Sequence, residues 1–85
     1  MKLTSINTLE DVKEFVRILI EDEDIAFHPD TSFEDYINLN TNQPTYSKEE
    51  AALRNGLIQQ AFELGESQRV DTHELMCEFG LQLTF

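Results

Sequence analysis

Eighty-five residues with a mean hydropathy of −0.39 and a formal charge of −11 make a small acidic chain. It is too short for two self-sufficient cores and leaves little material for a preformed substrate pocket, which typically occupies about 300–1,000 Å³. Seventeen acids against six bases repel phosphate backbones, which argues against direct nucleic-acid binding. A lone cysteine, Cys77, excludes an intramolecular disulfide and a cysteine-held zinc.

The segment Met1 to Phe15 has neither an uninterrupted apolar stretch nor a small-residue cleavage site, so it does not read as a signal peptide. The longest apolar run, Ile18-Leu19-Ile20, is far shorter than the ~20 residues needed to span a bilayer. A soluble, cytoplasmic protein that does not enter membranes is therefore expected.

Leu9, Val12, Phe15, Val16, Leu19 and Ile20 recur at three- and four-residue intervals, the signature of one helical face. Thr8 and Asp11 form a short capping box, so a helix is expected over 9–22. Ile18 lies off the stripe and must meet a second element or a partner. Acids Glu21 to Asp24 crowd the C-terminal end of this helix, where the dipole disfavours them.

Ile25 to Pro29 reads as an extended connector, because a residue before proline avoids helical geometry. Asp30, Thr31 and Ser32 all offer caps for a short helix over 33–37, with Phe33, Tyr36 and Ile37 on one face. The polar stretch 38–45 is dense in turn-forming residues and is expected to be a loop. Ser47-Lys48-Glu49-Glu50 is a capping box that opens a longer helix to about Leu64, with Gly65 as its left-handed C-cap. Its stripe is Leu53, Leu57, Ala61 and Leu64, widened by Ile58 and Phe62. Gly56 in mid-helix reads equally well as close helix approach or as simple tolerance. A last helix starts at Asp71, with Glu74 completing D-x-x-E, and ends near Phe79-Gly80. Residues 81–85 alternate with period two and could pair with 2–6 as a short extended element. The expected fold is a mostly α single-domain bundle of three or four short helices over residues 1–85, with a core containing Phe15, Leu19, Leu57 and Phe62.

Catalytic and metal patterns are weak. His73 to Cys77 begins like H-E-x-x-H but places Cys77 at the second histidine, and a buried structural cysteine is the better reading. An electronegative setting also works against a reactive thiolate. Asn38, Asn40, Asn42 and Glu49 match positions 1, 3, 5 and 12 of a calcium loop. However, the site lacks charge, the turn glycine is replaced by Gln43, and Glu49 belongs to the following helix. No cluster of glycines forms a phosphate cradle. Neither an enzyme nor a cofactor-binding protein is expected, and no metal site is assigned.

In length, acidity and helix number the chain is similar to the small immunity proteins that neutralise colicin nucleases, a family of four short helices. That family's inhibitory surface joins an acidic helix to a paired-tyrosine segment followed by proline. In Asp35-Tyr36-Ile37 and Pro44-Thr45-Tyr46 the tyrosines stand singly, so none of the family's residues is carried over.

Residues 10–35 hold ten acids and two bases. Glu21, Asp22, Glu23, Asp24, Asp30, Glu34 and Asp35 are therefore expected to form one electronegative surface, with Tyr36 and Phe27 as apolar anchors, that meets a basic protein. The expected function is an acidic interaction module, in the manner of an inhibitor or regulator. An alternative from a different class is a structural subunit that self-associates into homo-oligomers through its apolar faces.

Overall fold

Four helices build the computed structural model, which describes residues 3–24, 26–28 and 31–84. They are α1 (Leu9–Glu21), α2 (Phe33–Thr41), α3 (Lys48–Ser67) and α4 (Thr72–Thr84). No strand occurs among the described residues.

Each helix starts where a local cap directs it. Thr8 accepts the Asp11 amide while the Asp11 side chain accepts the Thr8 amide. Of the three candidate caps before α2, Ser32 takes the role and accepts the Asp35 amide at 3.2 Å. Ser47 accepts the Glu50 amide at 3.1 Å, and Asp71 accepts the Glu74 amide at 3.2 Å. All four satisfy backbone donors that the first helical turn leaves without partners.

Helix α1 ends within a residue of the expected position, whereas α2, α3 and α4 run past their expected ends. Two of the helix ends, those of α1 and α3, are closed by Schellman-type turns whose left-handed residue is not glycine. At α1 the Asp24 amide donates to Leu19 O at 3.0 Å and the Glu23 amide to Ile20 O at 3.2 Å, with Glu23 at φ 53°. At α3 the Val70 amide donates to Gly65 O at 2.9 Å and the Arg69 amide to Glu66 O at 3.2 Å, with Arg69 at φ 59°. Gly65 is thus not the C-cap that the sequence suggests, because α3 continues past it to Ser67. A Cβ built on Gly65 would overlap Thr72 Oγ1. That hydroxyl is buried and donates to Ala61 O at 3.2 Å. The glycine lets the start of α4 lie directly on α3.

Residues 38–41, expected as loop, extend α2. Asn40 is fully buried, and its Nδ2 donates to Asn55 Oδ1 at 3.1 Å. Asn55 Nδ2 in turn donates to Thr41 Oγ1 at 3.2 Å. Side chains that favour turns in isolation are here held by α3, and tertiary bonding overrides their propensity. Residues 81–84 likewise continue α4, so the suggested extended pairing with 2–6 does not form among the described residues; Lys2 and Phe85 lie outside them. Ile6 is instead buried against the bundle, its amide donating to Gln60 Oε1 at 2.8 Å.

Helix α3 packs against the other three helices, and α1 packs against α4. Phe15, Leu19 and Leu57 are fully buried in one cluster, and the partly buried Phe62 packs against it, 5.1 Å from the Phe33 ring centroid. Off-stripe Ile18 is buried as well. Nothing lies within 4 Å of a Cβ built on Gly56, so mid-helix tolerance, not close approach, accounts for that glycine. None of these helices is long and apolar enough to cross a membrane.

Candidate functional site

Arg54 organises the acids that end α1. It sits on the inner face of α3 at the spacing of Ala51, Ile58, Ala61 and Gly65, all of them buried. Its guanidinium donates from Nη1 to Asp24 Oδ2 at 3.0 Å, from Nη2 to Asp22 Oδ2 at 3.0 Å and from Nε to Glu50 Oε1 at 2.9 Å. The planar fork matches several carboxylates at once, which a lysine ammonium would not do. The Tyr46 ring covers its outer side, with Arg54 Cζ 4.4 Å from the centroid.

Asp24 has no solvent-exposed side-chain surface. Besides Arg54, it accepts the Ala26 amide at 2.9 Å and, more weakly, the Tyr36 hydroxyl at 3.4 Å. A buried carboxylate demands such partners. Burial, followed by the neighbouring Asp24 charge, raises the Tyr36 phenol above its ordinary range even though Asn40 hydrogen-bonds to it. Tyr46 is pushed up to about 12, first by burial and then by Asp24. For Arg54, burial opposes the charge, but the bond to Asp22, with the other partners, outweighs it and leaves the guanidinium more firmly protonated. All three guanidinium nitrogens bond a carboxylate and the side chain is buried, so the cluster braces the fold and offers no open cationic face to an outside anion.

The expected partner surface is therefore divided. Asp24 and Tyr36 are interior residues and are corrected out of it; Tyr36 stands edge-on to Phe15 at 6.5 Å in the core. Asp22 is partly exposed but tied to Arg54. Glu21 is exposed and shares Arg17 with Glu14; that arginine's hydrogen bond also lowers the Glu14 carboxyl's pKa. Glu23, Glu34 and Asp35 are exposed and make no ion pair with another described residue. Asp30 lies outside the described residues.

Glu34 and Asp35 occupy the first turn of α2, where the helix dipole favours negative charge. Asp35, Asn38 and Leu39 share one outward face by their spacing. With His28 and Thr31 they line an open groove of about 470 Å³. Leu39 is 51% exposed, and it replaces Tyr36 as the available apolar anchor. The other proposed anchor, Phe27, is half-buried and lines a recess with Phe33, Phe62 and His73. That recess encloses only about 10 Å³, one water's worth and no substrate site. His73 Nε2 and Asn40 Oδ1 are buried without a hydrogen-bond partner among the described residues. No group of three His, Cys, Asp or Glu side chains there is arranged to hold a metal ion. Helical Asn38 and Asn40 cannot form a calcium loop, and half-buried Cys77 is on α4 one turn from His73.

Arg54 and Leu39 were both missed from sequence. The signal for Arg54 was available: a base at the spacing of a buried stripe requires acids from elsewhere in the chain. Leu39 gave none, because it appeared within a loop. Comparison of this chain with protein-family models, curated proteins and solved structures finds no match.

Proposed function

We propose that this protein is a noncatalytic interaction module that engages a basic protein through the outward face of α2 and the adjoining end of α1. The observation that carries this reading is the pairing of exposed Leu39 with Asp35 along an open groove, with Glu34 exposed next to Asp35 in the first turn of α2. An apolar anchor surrounded by unpaired charge is a common interface arrangement, the anchor supplying affinity and the charges steering association. The formal charge of −11 gives the molecule an anionic field, and Arg17 and Arg54 are already held by acids of their own, so neither is available to pair with Glu23, Glu34 or Asp35. The same field disfavours nucleic acid as a direct ligand.

The test is affinity capture from native lysate at low and high salt, using the wild type and a variant carrying Glu23→Gln, Glu34→Gln, Asp35→Asn and Leu39→Ser. A specific partner should be retained at low salt, released by high salt and not captured by the variant. Equal capture by both proteins would remove this face from the functional argument. Exposed Leu81 and Leu83 favour a second reading, a self-associating structural subunit. It predicts a salt-insensitive oligomer in sedimentation.

A further inference from the structure

We infer that α4 carries a second docking surface, which accepts a basic amphipathic helix. This rests on the reading that the anionic surface meets basic protein, and it adds a separate site and a defined partner chemistry. Val70, Asp71, Glu74, Leu75 and Glu78 line an open groove of about 250 Å³. Along α4, positions 71, 74, 75 and 78 fall on one side, away from the buried Thr72, Met76 and Gly80. Three carboxylates therefore edge an apolar floor made by Val70 and Leu75. Val70 is 37% exposed, and Leu81, one turn beyond Glu78, is 55% exposed.

Charge selects the occupant. A second copy of this chain docking face to face would set Asp71, Glu74 and Glu78 against their own counterparts, and like charges in an interface oppose association. A helix with lysine or arginine flanking a leucine stripe matches both components. At a rise of 1.5 Å per residue, the span from Asp71 to Glu78 is about 10 Å, so cations two turns apart on the partner can meet both ends. Its apolar stripe would cover Val70, Leu75 and Leu81, the arrangement of a helix laid in a groove. Arg69 is nearby in sequence but forms no ion pair with another described residue, so the carboxylates are not already neutralised.

The probes are two capped synthetic peptides of alanine, leucine and lysine with identical composition. One places leucines three and four apart with flanking lysines; the other is scrambled so that no stripe forms. Titration calorimetry and amide NMR on the full chain supply the readouts. The striped peptide should bind at least about tenfold more tightly than the scrambled one, with amide shifts concentrated in residues 70–82. The triple variant Asp71→Asn, Glu74→Gln, Glu78→Gln should weaken it about tenfold, while Glu34→Gln with Asp35→Asn leaves it within about twofold. Asparagine preserves the cap at position 71, and Leu81→Gln, a change at an exposed site, should weaken binding without altering the melt. Equal binding of both peptides, no binding of either, or sensitivity only to the α2 variant would overturn the site. Failure at α4 together with salt-sensitive capture through α2 would leave the proposed function standing. Binding at α4 with capture indifferent to the α2 variant would do the reverse.

Discussion

Replacing Arg54 with methionine tests whether the buried ion cluster holds the end of α1 to α3. The change keeps most of the aliphatic stem and removes the three ion pairs to Asp22, Asp24 and Glu50. Asp22 and Glu50 have exposed surface through which to regain hydration, but Asp24 has none. It would keep only the Ala26 amide and the long Tyr36 contact. Removing one partner of a buried pair typically costs about 3–5 kcal/mol, mostly for the charge left behind. For a chain of this length, total stability is roughly 4–13 kcal/mol. With a urea slope of about 1–1.5 kcal/mol/M, the unfolding midpoint should fall by about 2–5 M, enough to unfold a marginal protein outright. Asp24→Asn in the Arg54→Met background should restore part of the loss, because it removes the stranded charge and keeps an acceptor for Ala26. Asp22→Asn in the wild type should cost no more than about 1 kcal/mol, as expected for a partly exposed pair. An Arg54→Met protein within about 0.5 kcal/mol of wild type, or no recovery from Asp24→Asn, would refute the view that the cluster carries this part of the fold.

The two glycines of α3 should respond oppositely to alanine. Gly56→Ala has space around it and should stabilise by about 0.5–1 kcal/mol, whereas Gly65→Ala collides with Thr72 and should destabilise by about 1–3 kcal/mol, both read by denaturant unfolding. Ser47→Ala should lose about 0.5–2 kcal/mol and Ser47→Asp little; equal losses would argue against capping. Glu23→Gly relieves a left-handed non-glycine residue and should raise the melting temperature, with the gain held to about 1 kcal/mol or less by the added freedom of the unfolded chain. In alkali, unfolded tyrosines release protons near pH 10, while Tyr36 and Tyr46 in the fold retain theirs to higher pH. The unfolded state then binds fewer protons, so stability falls as pH rises past about 10. Tyr46 contributes its part up to about 12. Unfolding midpoints between pH 8 and 12 should show the decline, and Tyr36→Phe should flatten it.

The starts of the helices were legible in the sequence because a cap and the amide it satisfies are three residues apart. Thr8 with Asp11, Ser47 with Glu50 and Asp71 with Glu74 declare themselves locally, and the stripe through Phe15 and Leu19 identifies the face that must be buried. Helix ends and the roles of the acids depend on distant residues. Crowding acids at the end of α1 is unfavourable by the dipole argument alone, yet Arg54 lies 30 positions beyond Asp24 and supplies the compensating charge. Asn40 looks like a turn residue until Asn55, 15 positions on, bonds it into α2. Gly65 resembles a helix stop until Thr72 comes against it. Local hydrogen-bond chemistry determined where the helices begin, but only the packed structure decided which polar groups become interior partners and which carboxylates still face solvent. Burial converts a charge from a surface property into a demand for one particular partner, and that partner can lie anywhere along the chain.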